Sequence, residues 1–231
     1  MRLDFTQIDG GFILADVAFA PTSGWFEPDY WRTRGAGEPV GKGRGQVVSA
    51  GEGGRWVLRH YHRGGFPGRF IRDAYFWHGA QATRPVRELR VLSELFAHGA
   101  PVVRPVAARV LRAGLLYRGD ILTERVSDAR TLGACATELG PEDWKRIGKA
   151  IRRFHEAGGW HADLNAHNIL VAPSDVFIID LDHGRLVTPG AQSQRRNLER
   201  LERSLVKLGH LPATTPSWQV LLEAYHSRRP G

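Results

Sequence analysis

Hydrophobic and polar positions follow two different periods along this chain, and the change of period divides it. From Arg84 to His98 the apolar residues Val86, Leu89, Leu92, Leu95 and Phe96 recur at helical spacing, and Gly99 with Pro101 ends the run. Short β-branched and aromatic runs surround this helix. An apolar stretch from Phe12 to Phe19 precedes a short helix at Phe26-Glu27-Pro28-Asp29-Tyr30-Trp31, with Pro28 in its first turn. Val40-Gly41-Lys42-Gly43-Arg44-Gly45-Gln46-Val47-Val48 reads as a glycine-rich loop entering a strand. Gly51-Glu52-Gly53-Gly54 turns the chain into a second strand, Trp56-Val57-Leu58-Arg59-His60-Tyr61. Two more strands are expected over 102–112 and 115–126, joined at Ala113-Gly114.

Beyond Val126 the helical period prevails. Trp144, Ile147, Ile151 and Phe154 mark an amphipathic helix that Pro141-Glu142-Asp143 begins and Gly158-Gly159 ends. Closing helices are expected at 192–208, with Leu198, Leu201, Leu205 and Leu208 on one side, and at 217–228. Between these helical stretches, Asn168-Ile169-Leu170-Val171 and Val176-Phe177-Ile178-Ile179 flank Pro173-Ser174-Asp175 and read as a hairpin. The fold class is α+β, with residues 1–124 rich in antiparallel strands and residues 125–231 mainly helical. Thr123-Glu124-Arg125-Val126 reads as the hinge between these two lobes of one domain.

The most informative motif is His161-Ala162-Asp163-Leu164-Asn165-Ala166-His167-Asn168, followed by Ile178-Ile179-Asp180-Leu181-Asp182. An aspartate, an asparagine five residues on, and a second aspartate closing an apolar run supply what phosphoryl transfer needs. Asp163 would orient and deprotonate a hydroxyl, while Asn168 and Asp180 would hold Mg²⁺ on ATP phosphates. The bland alternative is that Asp163 and Asn168 cap turns and Asp180 ends a strand. Asn165 sits where it can contact the transferred phosphoryl or the acceptor, His161 is expected to brace the loop, and Asp182 to assist the metal or order the loop.

Composition narrows the setting. A formal charge of +8 and a pI near 10.2, carried by arginine more than lysine, favour an anionic partner. A single cysteine, Cys135, excludes an intramolecular disulfide and a cysteine-cluster metal site, and a reducing compartment follows. No window approaches a membrane span, the start lacks a signal-peptide core, and no zinc finger or helix-turn-helix supports a nucleic-acid module. Residues Tyr61 to Trp77 interleave Arg63, Arg69 and Arg72 with Phe66, Phe70, Tyr75 and Phe76. Two readings stay open there: an interfacial segment that touches lipid, and aromatics packed into the N-lobe.

Strand, glycine-rich loop, strand, strand is the order in which kinase folds cover ATP phosphates, and this chain resembles a bilobal protein-kinase-like fold. The glycine stretch follows neither G-x-G-x-x-G nor the P-loop, so an ordinary hairpin linker also explains it. The resemblance gives Lys42, Gly43 and Gly45 to the nucleotide, puts Arg59 at the β3 lysine position and makes Glu88 its helix carboxylate. Arginine for lysine keeps the charge but changes the geometry. Asp180-Leu181-Asp182 replaces D-F-G and no A-P-E follows, leaving no room for a peptide-docking segment, so a small-molecule or glycolipid hydroxyl is the expected acceptor.

Among such kinases the chain is similar to the 3-deoxy-D-manno-octulosonic acid (Kdo) kinases of the lipopolysaccharide-core kinase family. The likeness rests on Trp56–Tyr61, Arg63-Gly64-Gly65, Gly159-Trp160 through Leu170, Ile179 through Gly184 and Arg195-Arg196-Asn197-Leu198. It implies ATP and Mg²⁺ as cofactors, the 4-hydroxyl of Kdo on a lipid A precursor as acceptor, and a peripheral position on the cytoplasmic face of the bacterial inner membrane. The alternatives are a small-molecule or heptose kinase of the same fold, or a non-catalytic kinase-like scaffold.

Overall fold

The computed structural model describes residues 1–40, 47–62, 73–188, 190–210 and 215–227. Two compact units divide the chain: Met1–Ser93 with Arg104–Arg125, and Glu94–Val103 with Val126–Gly231.

In the first unit β1 (Leu3–Ile8) and β2 (Gly11–Asp16) form a hairpin around Asp9-Gly10, where Gly10 takes a φ of +70°. That backbone suits the twist of a two-residue turn, and glycine adopts it without strain. β1 alternates apolar and polar residues only in part and exposes its four central residues at the sheet edge, and the apolar stretch of the sequence begins only at β2. There follow α1 (Pro28–Arg32), β3 (Val47–Ala50), β4 (Trp56–His60), β5 (Tyr75–Phe76), α2 (Arg84–Ala97), β6 (Pro105–Ala113) and β7 (Leu116–Glu124). The described strands build one antiparallel sheet in the order β1-β2-β6-β7-β4-β3, with β5 on β7.

One face of this sheet buries Ile13, Val48, Trp56, Leu58, Val106 and Leu122 with Phe26 and Trp31. Strand alternation therefore turns Arg59 to the opposite face. The first turn of α2 lies against that face, because β7 carries a glycine there: a Cβ on Gly119 would stand 2.3 Å from Cγ of Pro85.

In the second unit come β8 (Arg130–Thr131), α3 (Leu132–Cys135), α4 (Pro141–Glu156), β9 (Gly159–Trp160), β10 (Ile169–Val171), β11 (Val176–Ile178), β12 (Arg185–Leu186), α5 (Ala191–Lys207) and α6 (Thr215–His226). Pro141 opens α4, and the Asp143 carboxylate accepts the Gly140 N–H at 3.0 Å, satisfying a donor the helix end would leave bare. Trp144, Ile147, Ile151 and Phe154 are all buried. α6 crosses α4 in close contact at Gly148, where a Cβ would meet the Leu221 carbonyl oxygen at 2.3 Å.

β10 and β11 form the expected hairpin, with Ile169 opposite Ile178, and β8 extends it on the other side of β10. The expected strand from 102 begins only at Pro105. Val102 instead bridges Ile178 in parallel, and the Ile178 N–H donates to the Pro101 carbonyl at 2.8 Å, so this short apolar piece is buried within the second unit. Among the described residues no helix is long and apolar enough to cross a membrane.

Candidate active site

Residues 161–168 connect β9 to β10, and their side chains fix the loop from within. His161 is buried. Its Nε2 donates to the Ile179 carbonyl at 3.0 Å, and its Nδ1 accepts the Asp163 N–H at 3.0 Å. Both contacts require the neutral Nε2–H tautomer, an assignment that follows from the hydrogen bonds. The histidine thus braces the loop and joins it to the exit of β11.

Asp163 is the exposed centre of this loop, with 60% of its side-chain surface accessible. Asn165 Nδ2 donates to its Oδ2 at 3.0 Å, and Asn165 Oδ1 accepts the His167 N–H at 2.8 Å. Arg200 Nη1 donates to Asp163 Oδ1 at 2.8 Å. Each carboxylate oxygen therefore holds one protein donor and keeps acceptor capacity for an incoming hydroxyl.

Asn168 Nδ2 donates to the Asp163 backbone carbonyl at 2.9 Å, so the amide oxygen is the atom that could ligate a metal. The Ile179 N–H donates to the Asn168 carbonyl at 3.0 Å, so the start of β10 and the exit of β11 lie together, with Asp180 the next residue on. Asp180 is exposed and takes a φ of +61°, a conformation uncommon outside glycine, while Leu181 beside it is fully buried. The buried leucine anchors the chain, and the turn keeps the Asp180 side chain on the surface. An amide oxygen and a carboxylate are hard donors that suit Mg²⁺, which takes few protein ligands and completes its shell with phosphate and water. Among the described residues no group of three or more histidines, cysteines and acidic residues is placed to hold a metal, so a closed protein cage is not built there. Asp182 is largely buried, with its carboxylate 3.6 Å from the His183 ring.

A layer of support under the loop comes from α5. Asn197, 2% exposed, donates through Nδ2 to the His161 carbonyl at 2.6 Å, and its Oδ1 accepts from the His161 N–H at 3.3 Å and from His155 Nε2 at 3.2 Å. Ser204 Oγ accepts the Ala166 N–H at 3.1 Å. His155 completes the network with a 2.8 Å contact to the Tyr225 hydroxyl. Burial lowers the His155 pKa to about 4 and raises that of Tyr225 to about 12. The imidazole is thus neutral, and the tyrosine keeps its proton. The sequence motif had pointed to neither Arg200 nor this network. Asn197 does fall in the Arg195–Leu198 segment of the family likeness, and the other trace is spacing: Asn197, Arg200 and Ser204 share one flank of the helix, beside its leucine stripe.

The first unit holds a separate charged group. Arg59 Nη2 donates to both oxygens of Glu88 at 2.6 and 2.5 Å. Glu88 is only 2% exposed and also accepts the Tyr61 hydroxyl. The Arg59 guanidinium lies 4.7 Å from the centre of the Tyr61 ring. Arg59, on β4, and the helix carboxylate expected to pair with it are in contact. Tyr61 and Tyr75 are buried, whereas Phe76 is exposed. Lys42, Gly43 and Gly45, together with residues 63–72 of the aromatic-basic segment, lie outside the described residues.

The family model described as "Lipopolysaccharide kinase (Kdo/WaaP) family" matches residues 29–225. A 3-deoxy-D-manno-octulosonic acid kinase from Xylella fastidiosa (strain M12) is 44% identical over 190 residues, covering 80% of this chain and 75% of that protein. Its namesake from Xanthomonas campestris pv. campestris (strain B100) is 44% identical over 197 residues, covering 80% and 76%. Among solved structures, WaaP in complex with acyl carrier protein is similar in fold, with a TM-score of 0.53 at 16% identity over 82% of this chain and 78% of that one.

Proposed function

The chain belongs to the lipopolysaccharide kinase (Kdo/WaaP) family, and from that premise we propose that it transfers the γ-phosphoryl group of ATP to the 4-hydroxyl of Kdo on a lipid A precursor. It is a kinase of lipopolysaccharide core synthesis. The finer reading also puts it on the cytoplasmic face of the inner membrane, where a basic protein meets anionic lipid and each nearby Lys or Arg adds roughly 1 kcal/mol.

The observation that carries this reading is the exposed Asp163 carboxylate, steadied on both oxygens and sharing its loop with Asn168. Asp163 accepts a hydrogen bond from the acceptor hydroxyl, aligns its oxygen with the γ-phosphorus and takes up its proton as the new P–O bond forms and the bond to the β,γ-bridging oxygen breaks, releasing ADP. Asn165 and His161 keep the loop in that shape. Asn168 and Asp180 would hold Mg²⁺, which when bound neutralises charge on the phosphate oxygens. In the first unit Arg59, kept in place by Glu88, is assigned to the nucleotide phosphates, as a guanidinium can grip a carboxylate and a phosphate at once.

Mass spectrometry of a Kdo–lipid A precursor incubated with enzyme and Mg·ATP should show the gain of one phosphate. Asp163→Asn should lose about 10²–10⁴-fold in rate while still binding ATP. Near-normal turnover in that variant would remove Asp163 from the chemistry. Phosphorylation of a heptose acceptor but not of Kdo would overturn the acceptor.

A further inference from the structure

We propose that Arg200 is a specificity residue that reads the carboxylate of the acceptor sugar, and that the exposed flank of α5 is the anionic-acceptor subsite beside the base. This rests on the reading above, in which the acceptor is an octulosonic acid and carries a carboxylate on the same sugar as the reacting hydroxyl.

The rotation of α5 is fixed by its contacts. Leu198, Leu201 and Leu205 are buried, while Asn197 and Ser204 bond to the catalytic loop. Helical geometry then places Arg196, Arg200, Arg203 and Lys207, at i, i+4, i+7 and i+11, along the next stripe around the helix. All four are exposed, and at 1.5 Å per residue the stripe extends about 16 Å. Among the described residues Arg196, Arg203 and Lys207 form no salt bridge. Glu199, on the far side of the stripe, is taken by Arg195 at 3.2 Å.

Arg200 differs from a solvated surface arginine in where it points. With 46% of its side chain exposed, it reaches the base itself, 2.8 Å from Asp163 Oδ1. That contact uses Nη1 of a group with five N–H donors arranged in a planar fork. A hydroxyl received by Asp163 therefore arrives within reach of the rest of the guanidinium. A carboxylate on the same sugar can accept its remaining donors with a geometry that planar Arg matches and a point-like Lys does not. The surrounding cations add a field that favours an anion in this place.

The test uses two acceptors, the Kdo glycolipid and the same molecule with its carboxylate converted to the neutral methyl amide. A charged hydrogen-bonded contact should make wild-type kcat/KM for the acid exceed that for the amide by roughly 10–10²-fold. Arg200→Ala should bring that ratio down to about threefold or less, chiefly by raising KM for the acid, and Arg200→Lys should recover part of it. Retention of the wild-type ratio in Arg200→Ala would overturn the inference. So would an equal loss on both acceptors, which would make Arg200 a positioning residue for Asp163 alone. If the wild-type enzyme phosphorylates neither acceptor, the Kdo reading itself fails, a result distinct from an active enzyme whose preference ignores Arg200.

Discussion

Acid should loosen the second unit through His155, and the size of the effect can be worked from its surroundings. The imidazole is 2% exposed, and the groups that face it are the Tyr225 hydroxyl and Asn197 Oδ1. Neither carries a charge to offset that of a protonated ring, since Tyr225, pushed up to about 12, stays neutral. Burial therefore lowers the His155 pKa from 6.5 to about 4. In that interval the unfolded chain binds a proton at this position and the folded chain does not. Stability is fully present above about pH 6.5, declines as the pH falls towards 4, and loses nothing further from this group below that. At about 1.36 kcal/mol per pH unit the decline amounts to about 3 kcal/mol, a large part of a typical folding stability.

His60 in the first unit acts with the opposite sign. Its bond to Asp120 raises its pKa, so its contribution is present below about 6.5 and fades as pH rises through the raised value. The informative quantity is therefore a difference between wild type and His155→Gln, which keeps a polar side chain but does not titrate. Urea unfolding between pH 4 and 7.5, followed by hydrogen exchange of the α4 amides to read the second unit, should show wild type losing about 3 kcal/mol more than the variant. Parallel pH profiles would refute the reasoning, as would an NMR titration in which the His155 ring protonates near its ordinary value.

Two further outcomes concern ligands. Asp180→Ala should weaken binding of Mg·ATP far more than that of metal-free ATP, because a hard cation loses its carboxylate ligand; an unchanged Mg²⁺ dependence in a titration calorimeter would take Asp180 out of the metal site. Arg59→Ala and Glu88→Ala should each raise KM for ATP or lower kcat, and Arg59→Ala should also cost about 3 kcal/mol of stability, since it strands a buried carboxylate. The double variant should lose less than the sum, and strictly additive steady-state losses would reject the pair.

By itself the sequence determined the α+β class, the helices of 84–97, 141–156 and 191–207, and the 169–178 hairpin, because each is a local pattern of period and turn chemistry. The Asp163, Asn168 and Asp180 constellation was legible for the same reason: one loop and one hairpin hold all three. The Arg59–Glu88 pair was legible only by analogy with a kinase-like fold, and its partner Tyr61 was not. Strand alternation puts Arg59 on its face of the sheet, but the helix meets it there because Gly119 admits Pro85. β1 escaped because an edge strand with four exposed central residues has too little buried face to impose an alternating pattern. His155, Asn197 and Arg200 carry no local signal of their role. Their polar atoms acquire partners only when α5 packs beneath the loop and α6 packs against α4, from residues up to 70 positions apart in the chain. Which neutral histidine is buried, and which arginine reaches Asp163, was decided by that packing, because a hydrogen bond over such a separation depends on the three-dimensional path of the chain and not on any repeat within it.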